Sequence, residues 1–181
     1  MRASLGPPPL IVLGLPGSGK TRLAVGLAFA LQQAGEAAFV LHTDLLKVTL
    51  RALGCGPRGP GYAGEIHHKA ALIRPALEAQ AEKAASEGYR LIVEGTLALG
   101  FAPPGSHVFV LEVAEAIRRQ RVATKYPSAA KALASADLSA YAEALAQLQG
   151  CFRLDANVAA ESLVTTGLSR LRDAKEGACA A

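Results

Sequence analysis

The chain has no tryptophan, and aromatic residues make up only 5 % of its 181 residues. It has three cysteines, Cys55, Cys151 and Cys179, an odd and widely spaced set without a C-x-x-C pair. That spacing argues against a disulfide framework or a zinc site, and reduced thiols of a cytoplasmic protein are expected. No apolar run approaches the roughly 18 residues of a membrane span. Pro7-Pro8-Pro9 stands where a secretory signal would need its apolar core, so no cleavable signal is expected. The net charge of +4 is small and interspersed with acidic residues, so a nucleic-acid partner is not expected. An Asn-Lys-x-Asp motif for reading guanine is missing, as is a strand ending in Asp-Glu.

Hydrophobic residues, by contrast, reach 51 %, enough for a sizeable core. A single domain over residues 1–181 is expected, with frayed ends near 1–8 and 174–181. The most informative segment is Gly14-Leu15-Pro16-Gly17-Ser18-Gly19-Lys20-Thr21, a complete G-x-x-x-x-G-K-[ST] phosphate-binding loop. Its glycines let backbone N–H groups turn inward around a triphosphate. Lys20 brings a compact charge to the β- and γ-phosphates, and the Thr21 hydroxyl can enter a Mg²⁺ shell. The surroundings fit the motif. Leu10-Ile11-Val12-Leu13 reads as a buried strand, and Leu23, Leu27 and Leu31 recur at helical spacing after it. Such a helix turns its positive dipole end toward the anion.

Strands and helices alternate along the rest of the chain. Strands are expected near 9–14, 37–42, 90–94, 108–112 and 152–155. Helices are expected near 19–34, 45–53, 65–87, 114–125, 129–149 and 158–173, with Pro75 kinking or splitting the third. The glycine- and proline-rich stretches 54–64 and 95–106 read as loops. This order predicts a parallel sheet of five strands covered on both faces, an α/β/α sandwich with its ligand at the strands' carboxyl ends.

Candidate chemistry is read from what should fall at those ends. Asp44 follows the second strand, where a carboxylate could orient an acceptor hydroxyl and take its proton; it also suits the N-cap of the next helix. Glu94 closes the third strand, and a carboxylate buried there calls for Mg²⁺, Lys20 or Thr21 as partner. Arg118, Arg119 and Arg121 lie after the fourth strand with Lys125 beyond, and Arg118 and Arg121 share a helix face. They are candidates for a lid over about 114–130 that closes on the phosphates. Lys47, Arg51 and Arg58 border the acceptor side, where they can bind an anionic group or remain solvated. His42, His67 and His68 are weaker candidates; His67 and His68 are adjacent and do not share a helix face, so a joint metal site is not expected.

These residues resemble the P-loop small-molecule kinases, adenylylsulfate-kinase-like proteins above all. That family's second strand ends in Asp-Gly-Asp with a basic residue three positions on; here the run is His42-Thr43-Asp44 with Lys47. Glu94-Gly95-Thr96-Leu97, with Gly100-Phe101-Ala102-Pro103 behind it, looks more like 2-phosphoglycerate kinases. The family's Arg-Asp-Pro-Lys-Gly lid motif is absent, although Arg121 and Lys125-Tyr126 occupy similar ground. The resemblance implies strand order 2-3-1-4-5 and transfer of the γ-phosphoryl of Mg-ATP to a small acceptor. Gly14, Leu15, Pro16, Gly17, Ser18, Gly19, Lys20, Thr21, Arg118 and Arg121 would hold the nucleotide, and Thr21 and Glu94 the metal. Lys20, Asp44, Glu94, Arg118 and Arg121 would serve the transfer, in a monomer or homodimer. The competing readings are a regulatory P-loop NTPase that drives a conformational switch, and a kinase of an RNA end or charged tRNA.

Overall fold

The computed structural model describes residues 6–58, 65–125 and 138–179. Five strands, β1 (Leu10–Gly14), β2 (Ala38–His42), β3 (Arg90–Glu94), β4 (His107–Glu112) and β5 (Phe152–Asp155), form one sheet in the order β2-β3-β1-β4-β5. Every neighbouring pair is parallel. The expected α/β architecture and strand order are both present.

Parallel strands buried on both faces read as continuous apolar runs, and β1 does so completely. Leu10 and Val12 point into one core with Leu23, Leu27, Phe109 and Leu163. Ile11 and Leu13 point into the other with Ile73, Leu77, Val93 and Val110. The first face is covered by α1 (Lys20–Gln33) and α6 (Ala160–Cys179). The second is covered by α3 (Ile66–Ser86) and α5 (Ser139–Ala146), with a short 3₁₀ turn at Thr96–Ala98. Two further helices, α2 (Thr43–Ala52) and α4 (Glu115–Lys125), follow β2 and β4 directly.

Several boundaries differ from the sequence expectation. Pro75 neither splits nor ends α3, which runs unbroken from Ile66 to Ser86. Pro75 lies on the solvent side, while Ile73 and Leu77 on either side of it are fully buried and pin the helix to the sheet. The last helix continues to Cys179 rather than stopping near Asp173. Helix α2 starts at Thr43 with His42 as its N-cap, so Asp44 sits inside the first turn instead of capping it. The 95–106 loop is mostly interior at its start, where Leu97, Ala98, Leu99 and Phe101 join the core. Of the expected 114–130 lid, residues 114–125 are described; Tyr126 and the first part of the expected 129–149 helix lie outside the described residues.

The contact between α1 and α6 depends on a residue without a side chain. A Cβ on Gly26 would lie 2.4 Å from Val164 Cγ2, and valine in a helix has little rotamer freedom to move aside. Gly26→Ala should gain about 0.5–1 kcal/mol of helix propensity. The forced repacking, typically about 1–3 kcal/mol, outweighs it. Urea denaturation should therefore show a net loss for Gly26→Ala. Adding Val164→Ala should recover roughly 1 kcal/mol relative to the sum of the single effects. Additive single effects would place the role of Gly26 elsewhere.

Candidate nucleotide and phosphoryl-transfer site

The carboxyl ends of β1, β2 and β3 converge on the loop between β1 and α1. Gly19 adopts a left-handed conformation (φ 100°) at the N-cap of α1, and Ser18 N donates to Leu15 O at 3.0 Å, closing the loop on itself. Lys20 Nζ turns inward and donates to the carbonyls of Gly14 (2.9 Å) and Leu15 (3.1 Å). Burial lowers its pKa to about 8, against the pull of Glu94 and Asp44, which favour the charged form. The lysine thus rests on neutral carbonyl acceptors.

Glu94 is 7 % exposed and completes the inner wall. Its Oε1 accepts from Thr21 Oγ1 at 3.2 Å and from His42 Nδ1 at 2.6 Å. Thr21 and Glu94, expected as metal-holding residues, are brought side by side, with hard oxygen atoms suited to Mg²⁺. Among the described residues there is no cluster of three or more His, Cys, Asp or Glu side chains. A hydroxyl and one carboxylate beside a phosphate loop fit a divalent ion whose remaining ligands come from phosphate and water. His42 joins this group because β2 and β3 place it opposite Glu94 in register. Reading the sequence alone gave it little weight, since its partner is 52 positions away.

Asp44 stands at the cleft mouth with its side chain 74 % exposed, and Lys47 Nζ lies 3.5 Å from Asp44 Oδ1. Lys47 is the more buried of the two, at 12 %, and both line the cleft. Arg51 and Arg58 are exposed, as are His67 and His68 on α3. Tyr141 on α5 was not anticipated. Its phenol is buried next to Gly14 without a well-formed hydrogen bond among the described residues, and burial pushes its pKa well above the ordinary value.

The arginines of α4 divide by role. Arg118 is nearly buried: Nε and Nη2 grip the two oxygens of Glu115 (2.6 and 2.7 Å), and Nη1 donates to Pro16 O at 3.2 Å. Arg119 also donates to Glu115, at 2.6 Å. Hydrogen bonds from Arg118 and then Arg119 hold the Glu115 carboxyl down at about 2. A Cβ on Gly17 would meet Val122 Cγ2 at 2.7 Å and Arg118 O at 2.9 Å, so α4 is packed directly on the phosphate loop. Arg121 reaches across, donating to Ser18 O (3.4 Å) and Ala156 O (2.8 Å). It faces the cleft, whereas Arg118 braces the loop from outside it.

The cleft, about 1540 Å³, runs from the loop, Asp44 and Glu94 past Arg121 to an apolar end at Val25, Phe29, Val158 and Leu168. Val25 and Phe29 are 50 % and 63 % exposed and one helical turn apart, an outward apolar pair legible in the sequence once α1 is placed.

No family model matches the chain, and no curated protein does. Solved structures do. An adenylylsulfate (APS) kinase from Mycobacterium tuberculosis, solved with AMPPNP and APS, aligns with TM-score 0.65 at 18 % identity, over 92 % of this chain and 98 % of that one. A sugar kinase from Janibacter sp. aligns with TM-score 0.63 at 18 % identity, over 92 % and 95 %. A gluconokinase from Sinorhizobium meliloti aligns with TM-score 0.58 at 19 % identity, over 97 % and 98 %. None of these three is a 2-phosphoglycerate kinase. At this identity the likeness speaks to architecture: the chain has the fold of the P-loop small-molecule kinases, from one end of those proteins to the other.

Proposed function

We propose that the protein is an ATP-dependent phosphotransferase that moves the γ-phosphoryl group of Mg-ATP to a small, anionic acceptor. The observation that carries this reading is that Lys20, Thr21 and Glu94 at the phosphate loop line one cleft together with Asp44 and Lys47. The structural neighbours, an APS kinase, a sugar kinase and a gluconokinase, point the same way.

Each residue's task follows from its position. Lys20 leaves the Gly14 and Leu15 carbonyls for the β- and γ-phosphates, with the loop's glycines keeping side chains out of the way. Thr21 and Glu94 would hold Mg²⁺, which supplies charge neutralisation on the transferring group. Arg121, from the cleft wall, contributes donors for the charge spread over the equatorial oxygens, and Arg118 keeps the loop in shape. Asp44, solvent-accessible at the mouth, orients the acceptor hydroxyl and accepts its proton. Lys47 beside it binds the acceptor's anionic group.

Lys20→Ala should fold normally and lose transfer by on the order of 10²–10³-fold, as when a preorganised donor is removed. A screen of small hydroxylated anions for acceptor-dependent ADP release is the assay, and near-wild-type turnover in a cooperatively melting variant would reject the reading. Asp44→Asn should leave ATP affinity nearly unchanged and reduce transfer by roughly 10²–10⁴-fold. Because Asp44 is not the N-cap, the variant's unfolding free energy should fall only by what one first-turn charge contributes, about 0.3–1 kcal/mol.

The lowered lysine pKa sets a pH dependence. Phosphate binds the protonated form, and in the free protein that form is lost as pH rises through about 8. Binding above pH 8 must then take up a proton, so nucleotide affinity should weaken by up to about tenfold per pH unit between 8 and 10. Calorimetry in two buffers of different ionisation enthalpy measures that proton uptake. Flat affinity with no uptake would show that Lys20 is protonated throughout this range in the free protein or does not meet the phosphates.

A further inference from the structure

The Glu94 carboxylate is held from two sides, and the side contributed by His42 has no task in the scheme above. An ionised carboxylate only accepts hydrogen bonds, so His42 Nδ1 carries the hydrogen at this 2.6 Å contact. Both hydrogen bonds, from Thr21 and from His42, converge on Oε1. That leaves Oε2 with acceptor capacity on a side chain that lines the cleft.

Three features make the contact a built one. His42 and Glu94 are register partners at the last rung of the β2–β3 ladder, where side chains on adjacent parallel strands lie alongside one another. His42 is the N-cap residue of α2, yet its ring makes no capping hydrogen bond, so capping does not account for its orientation. Gly95, next in the chain after Glu94, lets the turn carrying His42 come close: a Cβ there would stand 2.0 Å from Thr43 Oγ1. Holding β2 to β3 does not account for the contact either, because the strands already pair through five residues each, from Ala38↔Arg90 to His42↔Glu94.

We propose that His42 is a positioning residue for the Mg-nucleotide: it ties down Oε1 of Glu94 and thereby fixes the carboxylate beside Thr21, where the two would hold a divalent ion. The proposal rests on reading the cleft as a Mg-nucleotide site and adds a residue to it. The imidazole acts through Glu94, touching neither nucleotide nor acceptor. Removing a hydrogen-bonding partner behind a metal-binding side chain typically weakens metal affinity about 10–100-fold.

The test is calorimetric binding of AMPPNP to the full chain, with and without Mg²⁺, so that it needs no knowledge of the acceptor. Wild type should bind AMPPNP more tightly with Mg²⁺. His42→Ala should keep its Mg²⁺-free affinity within about twofold and lose on the order of tenfold of the Mg²⁺-dependent gain. His42→Asn places an amide N–H near the position of Nδ1 and should restore most of that gain. His42→Gln, whose donor sits one bond farther out, should behave like His42→Ala. Because the effect passes through Glu94, His42→Ala added to Glu94→Gln should cost nothing further. Should His42→Ala not fold, the contrast between Asn and Gln decides the matter. Full Mg²⁺ gain in His42→Ala, equal behaviour of Asn and Gln, or multiplying losses in the double variant would each overturn the proposal while leaving the cleft's reading intact. A wild type whose AMPPNP binding ignores Mg²⁺ would instead overturn that reading, and the role of His42 with it.

Discussion

The rest of the structure depends on the sheet being buried on both faces. With Leu10, Ile11, Val12 and Leu13 of β1 between fully and almost fully buried, no polar side chain can be carried along the middle of a central strand without a costly unpaired group. Polar function is therefore pushed to the carboxyl ends. There the chain leaves the sheet, and the neighbouring loop supplies donors. Gly14, His42 and Glu94 are the residues at those ends of β1, β2 and β3, and together they frame the site.

A second layer of constraint is steric. The phosphate loop is pressed from one side by α4, through the bare backbone of Gly17, and pinned by Arg118 at the Pro16 carbonyl. The β2–α2 turn is pressed against the β3 end through Gly95. Glycine at these two positions serves close approach as much as backbone freedom. The loop's shape is thus held by packing and by hydrogen bonds from its neighbours. The charges are arranged in the same spirit. Lys20 is held inward with its proton affinity lowered, while Glu115 absorbs Arg118 and Arg119 so that Arg121 alone of the three arginines faces the cleft.

The arginines show that residues sharing a helix face need not share contacts. Their spacing places Arg118 and Arg121 on one helix face, and they are. Yet Glu115 and the Pro16 carbonyl hold the Arg118 guanidinium, while that of Arg121 reaches the Ser18 and Ala156 carbonyls and lines the cleft. Asp44 is similar. Its place after β2 was legible, but helix α2 begins two residues earlier than a capping aspartate would require, since extended His42 already occupies the N-cap position.

By itself the sequence determined the phosphate loop, the alternation of strands and helices, and the sheet's two-sided burial. Each of these is written in contiguous residues: eight for the loop, four apolar residues in a row for β1, and Ile66, Ala70, Ile73 and Leu77 at helical spacing for α3. The continuity of α3 through Pro75 was decided by tertiary packing, because the buried neighbours outweigh one missing backbone hydrogen bond. The pairing of His42 with Glu94, the division of labour between Arg118 and Arg121, and the placement of Tyr141 under Gly14 were decided there too. They join residues 52, 102, 103 and 127 positions apart. Such contacts are set by strand register and helix packing, which no local run of the chain encodes.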